Sequence, residues 1–162
     1  VVGFSMSKGY TLYGMRAGAM ICITSNKAIA DEFKLVAAFS SRGTWSNSTR
    51  PAMMALIKVF ADPALYQRLN DERASYQKLL VRRGDAFLKA AQEIGLESCP
   101  FSGGYFVTVP CKDADRVAEI MREQDDIFVI PIGKGVRVAI SAISEEHCKR
   151  IPAAIKKAMS QL

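Results

Sequence analysis

The 162-residue chain has one histidine, one tryptophan and four cysteines, and each scarcity closes off a class of chemistry. Cys22, Cys99, Cys111 and Cys148 are scattered, with no C-x-x-C pair of the kind that zinc sites require. They read as reduced thiols of a cytoplasmic protein, neither metal ligands nor a disulfide framework. His147 falls in the first turn of a predicted helix with no partner nearby in sequence, so it reads as a surface residue. No apolar run approaches the roughly 20 residues of a membrane span, and no signal-peptide pattern opens the chain. Internal repeats and low-complexity tracts are missing too. The formal charge of +6 is spread out, with short clusters only at Arg82-Arg83 and Lys156-Lys157 and no interleaved aromatics. That pattern describes a solvated surface better than a nucleic-acid face. Gly133-Lys134-Gly135 lacks the rest of a nucleotide-binding loop and reads as a turn.

Nearly half of the residues are apolar, enough for one respectable core or parts of two. The run Ala17 to Thr24 suits a strand buried on both faces. Ser25 is placed to cap a helix from Lys27 to Phe39, with Ile29, Phe33, Val36 and Ala37 on its apolar face. A second helical stretch starts near Pro51. Asp62 and Pro63 then restart the pattern as cap and first turn, and Leu65, Leu69, Tyr76, Leu80, Phe87 and Ile94 repeat at helical spacing until Gly95. Such a rod, about 45 Å long, ordinarily links domains. Beyond it, Tyr105 to Val109 reads as a strand and Asp113 to Arg122 as a helix with Val117, Ala118 and Met121 inward. Ile127 to Ile132 and Val136 to Ser141 read as two strands joined by the glycine turn. Ser144 opens a terminal helix with Glu145 and Glu146 near its positive end, and Pro152 should kink or restart it.

The run Ser5-Met6-Ser7-Lys8, with Arg16 eight residues on, carries the chemistry. A lysine between hydroxyl residues at the mouth of a strand can form a Schiff base with an aldehyde cofactor. Pyridoxal 5'-phosphate asks for a lysine for its aldehyde, hydroxyls for its phosphate and a cation for the phosphate charge. Ser5, Lys8 and Arg16 supply all three. Arg137 stands in the middle of an apolar strand, Val136-Arg137-Val138-Ala139-Ile140, where burial is costly unless an anion pairs with it.

The string Ser5-Met6-Ser7-Lys8 followed by Leu12-Tyr13-Gly14-Met15-Arg16-Ala17-Gly18 resembles the cofactor-lysine motif of the class I/II aminotransferases, the fold-type I pyridoxal-phosphate enzymes. The resemblance implies that Lys8 is the catalytic lysine and that Ser5, Ser7 and Arg16 hold the phosphate, although Ser7 could equally serve the turn. It implies that Arg137 binds the substrate α-carboxylate. It makes Phe106 a wall of the substrate pocket, where the residues alone would equally make it a core aromatic. Arg42, in Arg42-Gly43-Thr44-Trp45-Ser46-Asn47, resembles the arginine of the aspartate-aminotransferase branch that reaches across a homodimer interface to a distal carboxylate. Ser48-Thr49 replaces two prolines there and Trp45 the usual tyrosine, so an interface or surface role and an aromatic substrate both stay open.

The expected fold is α/β: residues 1–49 as the end of a large cofactor-binding domain, 50–98 as linking helices and 99–162 as a small α/β domain. The lysine lies well past the middle of the family's longer chains, and Val1 is not a methionine, so a C-terminal portion is expected. The family's phosphate-cradling turn, ring-stacking aromatic and acidic partner of the pyridine nitrogen come earlier in those chains. The parent is thus expected to move an amino group between an amino acid, aspartate or aromatic, and a 2-oxo acid, with no metal, nucleic acid or membrane as partner. A β-lyase of the same fold is the alternative, and the isolated chain is expected to be an inactive folding or interaction module.

Overall fold

The computed structural model describes residues 1–162 and divides into two compact units, Val1–Arg73 and Ala74–Leu162. The division falls inside a helix, within the stretch 50–98 expected to link domains.

In the first unit, β1 (Val2–Ser5) pairs antiparallel with β2 (Gly18–Ile21), Val2 opposite Ile21 and Ser5 opposite Gly18. Between them lie the single turn α1 (Met6–Gly9) and a 3-10 turn at Tyr13–Met15. Gly18 is obligatory there, because a Cβ would stand 2.3 Å from the Phe4 carbonyl oxygen. Met6, Ala17 and Ala52 form a small core, flanked by Leu12 and Leu56. The strand expected to be buried on both faces is exposed along its length. It has the composition for burial, but within this chain β1 is its one strand neighbour.

Helix α2 (Lys27–Thr44) starts where expected, but Asn26 caps it instead of Ser25, its side-chain oxygen accepting from the Ala28 N–H at 2.9 Å. It runs five residues past Phe39 to Thr44, whose hydroxyl donates to the Ser40 carbonyl at 2.7 Å. Ile29 and Val36 of its apolar face are exposed, while Phe33 and Ala37 are half-buried. Helix α3 (Arg50–Ala61) has Pro51 in its first turn. Helix α4 (Pro63–Glu93) is 31 residues long, about 46 Å at 1.5 Å per residue. Asp62 caps it, accepting from the N–H groups of Ala64 and Leu65 at 2.9 and 3.2 Å. Leu65 and Tyr76 are exposed; burial on this helix is confined to Gly84, Phe87 and Ala91. Gly95, at φ +64°, stands just beyond its end.

The second unit carries the larger core. Strands β3 (Val107–Pro110), β4 (Ile130–Ile132) and β5 (Gly135–Val138) form an antiparallel sheet in the order β3-β5-β4. Val107, Val109, Val136 and Val138 pack with Phe87 and with the inner faces of α5 (Ala114–Asp125) and α6 (Glu145–Met159). Val117, Ile120 and Met121 of α5 are buried, and Ala118 is half-buried. Asp113 and Ser144 cap the two helices. Tyr105 and Phe106 lie outside β3, next to Gly103 and Gly104, whose φ values of +123° and +126° are closed to other residues. The helix does not restart at Pro152. A proline inside a helix costs about 3 kcal/mol, but this ring is fully buried in the core, and α6 runs through it.

Candidate active site

The first unit collects Ser5, Ser7, Lys8 and Arg16 into one cluster at the mouth of the β1–β2 pair. Ser5 caps α1: its extended backbone (φ −125°, ψ 132°) turns the chain, and its Oγ accepts from the Ser7 N–H at 3.2 Å. Lys8 follows on that turn and projects to solvent, its Nζ 4.4 Å from the centre of the Tyr13 ring. Thr11 and Arg16 both adopt left-handed backbone, at φ +54° and +49°. Each costs about 1–2 kcal/mol for a residue with a Cβ, and strain of this kind gathers at functional sites. It folds the loop back so that Arg16 Nη1 donates to the Tyr13 carbonyl at 3.0 Å and to Ser7 Oγ at 3.4 Å. The Met6 N–H donates to the Ala17 carbonyl at 3.0 Å, and the Thr49 hydroxyl to the Met15 carbonyl at 2.8 Å, tying both ends down.

The donor set suits a phosphate dianion beside an aldehyde. Both serine oxygens are used as acceptors, by the Ser7 N–H and by Arg16, which leaves their hydroxyl protons to donate. Arg16 spends only Nη1 within the protein, so its Nε and Nη2 edge remains for two anion oxygens. The field favours an anion as well: the first 30 residues carry Lys8, Arg16 and Lys27 and no acidic residue. Tyr13 is the residue that sequence reasoning missed. Its ring lies 4.4 Å from the Lys8 amine and 5.2 Å from the Arg16 guanidinium carbon, a cation–π shelf for both.

Arg42 also belongs to this unit. It sits in the last turn of α2 and closes that helix, Nη1 donating to Ser46 Oγ at 2.9 Å and reaching the Ser46 carbonyl at 3.5 Å. Trp45 beside it is 82 % exposed.

The second unit holds Arg137 and Phe106. Arg137 lies on the central strand β5, opposite Thr108 of β3 and Ile130 of β4. Its guanidinium carbon is 4.5 Å from the centre of the Phe106 ring. Its Nε is buried with no hydrogen-bond partner, and no carboxylate pairs with the side chain. An orphaned guanidinium on a central strand has the donor geometry for a carboxylate. Phe106, with 36 % of its surface exposed, serves as the flat wall that holds it.

Elsewhere the candidates thin out. All four cysteines are free, and burial raises the thiol pKa of both Cys111 and Cys148. No three metal-ligating side chains cluster, and no helix is long and apolar enough to cross a membrane. His147 is exposed, its Nδ1 2.9 Å from the Ser144 hydroxyl.

Residues 1–155 match the family model of the class I and II aminotransferases. Among solved structures, an aminotransferase from Anaerococcus prevotii is 35% identical, with a TM-score of 0.91 over 97% of this chain. The cytoplasmic aspartate aminotransferase of Giardia lamblia shares the fold at 19% identity and a TM-score of 0.72, over 98% of the chain. So does the aromatic-amino-acid aminotransferase of Burkholderia pseudomallei covalently bound to pyridoxal phosphate, at 23% identity and a TM-score of 0.68 over 97% of the chain. The chain spans 38%, 40% and 39% of the lengths of these three proteins. No curated protein sequence matches it.

Proposed function

The chain belongs to the class I and II aminotransferases, and from that we propose that it is the cofactor-anchoring and carboxylate-binding portion of a pyridoxal-phosphate-dependent aminotransferase. The observation that carries this reading is the cluster of Ser5, Ser7, Lys8 and Arg16, held by its own hydrogen bonds with anion-binding donors to spare. In this reading residues 1–49 complete the large domain, 50–98 link, and 99–162 form the small domain.

Arg16, with the Ser5 and Ser7 hydroxyls, holds the phosphate. Lys8 is the covalent anchor for the aldehyde carbon, and its amine is the group that moves a proton at the substrate α-carbon. When bound, the cofactor supplies an electron sink for the pair left at that carbon. Arg137 orients the amino acid by its α-carboxylate, with Phe106 fixing the plane of the guanidinium. Arg42 selects among substrates by the distal carboxylate of a dicarboxylic acid, acting at the interface of a homodimer. The substrates are amino acids, aspartate or aromatic, and their 2-oxo acids. The free thiols accord with a cytoplasmic setting.

The test is amino-group exchange by the parent enzyme. Arg137→Ala should raise KM for every amino-acid substrate by about 100-fold, the loss of a charge-assisted bidentate pair. Unchanged KM values would remove Arg137 from the site.

A further inference from the structure

Arg83 is half of a basic pair that reads as solvated surface, yet it is half-buried on α4. Its Nη1 donates to the carbonyls of Ile140 at 3.3 Å and Ser141 at 3.0 Å. Its Nε is buried without a partner, and no carboxylate neutralises it. Drawing a guanidinium out of water with no acidic partner is costly, so its placement calls for a use.

The two carbonyls belong to the 3-10 turn Ile140–Ala142, which begins two residues after β5 ends. The Ser141 N–H in turn donates to the Tyr105 carbonyl at 3.3 Å. Tyr105 adjoins Phe106, whose ring carries the Arg137 guanidinium. A closed circuit results, from Arg83 to the turn, from the turn to Tyr105 and Phe106, and from Phe106 to Arg137 and back along β5. Gly103 and Gly104, at φ +123° and +126°, lead into Tyr105 on one side of this circuit, and Arg83 grips the turn on the other.

We propose that Arg83 is a positioning residue for Arg137: by clamping the turn after β5 it fixes both the strand end and the aromatic wall that hold the carboxylate-binding guanidinium. The inference rests on the reading of Arg137 as the α-carboxylate group.

The test is a double-mutant cycle in the cofactor-loaded parent enzyme with Arg83→Gln, Arg137→Ala and the pair, reading KM and kcat for an amino-acid substrate. Arg83→Gln should raise KM about tenfold with kcat within about twofold, the usual scale for a residue that supports a ligand-binding group. In the Arg137→Ala background it should add nothing. Arg83→Lys, which keeps one donor for the two carbonyls, should recover part of the KM, and it carries the test should Arg83→Gln fail to fold. An unchanged KM in Arg83→Gln beside a raised KM in Arg137→Ala would overturn the positioning role and leave the carboxylate reading intact. Additive effects in the double variant would overturn it as well. An unchanged KM in Arg137→Ala would sink the carboxylate reading and this inference together.

Discussion

A lysine, two hydroxyls and an arginine are drawn together by contacts that only partly follow from their spacing. The roles of Ser5, Ser7, Lys8 and Arg16 toward a phosphate and an aldehyde remain our proposal, but that they would come together was legible because they lie within twelve residues. Tyr13 was not, because its ring comes under two cations only after Thr11 and Arg16 take left-handed backbone. Arg83 escaped for the same kind of reason: a basic pair on a helix reads as surface until the turn it grips is placed. Arg42 is seen to close α2, and its distal-carboxylate role remains our proposal. If it selects dicarboxylates, Arg42→Ala in the parent enzyme should lower kcat/KM for aspartate by at least about tenfold, the cost of one charge-assisted contact. The value for phenylalanine should stay within about twofold on the same scale. Equal losses for both substrates would contradict selection by Arg42.

At the scale of elements, most helix starts follow from local signals. Asp62 with Pro63 and Ser144 open the helices that their sequences announce, and Asp113, expected as the first helical residue, caps α5. Asn26 displaced Ser25 by one position, since either side chain can accept from a first-turn N–H. Pro152 went the other way: burial of its ring outweighs the helix-breaking tendency, which no local pattern could reveal. The β1–β2 pair positions Lys8, and its tightest point is Gly18 against the Phe4 carbonyl. Gly18→Ala should cost the pair about 1–3 kcal/mol, because a backbone oxygen cannot swing aside as a side chain would. The check is the yield of cofactor trapped on Lys8 at a fixed pyridoxal-phosphate concentration, which should fall sharply. An undiminished yield would show that the strand pair does not position the lysine.

At the scale of the whole molecule, the two compact units carry different parts of the proposed site, the Ser5–Arg16 cluster in one and Arg137 in the other. The α/β class was legible from alternating element types; the exposed β2 and α2 faces were not, because apolar composition signals a need for burial and not its provider. The second unit also buries two thiols, and burial raises the pKa of both Cys111 and Cys148 above the ordinary value of 9.0. A raised folded-state pKa means that the unfolded chain releases these protons first. Their contribution is therefore full below pH 9 and is lost as pH climbs through the higher folded values. The thermal midpoint should fall on moving from pH 8 to pH 10, roughly the span around a thiol pKa, and Cys148→Ala should flatten that fall. An identical slope in the variant would exclude the buried thiol as its source. The isolated chain, given cofactor, aspartate and 2-oxoglutarate, should show no turnover above a Lys8→Ala control; Lys8-dependent turnover would show that the two units suffice for catalysis. Whether Lys8 anchors pyridoxal phosphate is read by borohydride reduction after incubation with the cofactor, followed by peptide mapping. The proposed anchoring should give one reduced adduct, on Lys8, that disappears in Lys8→Ala. Label scattered over many lysines, or concentrated on another one, would contradict it.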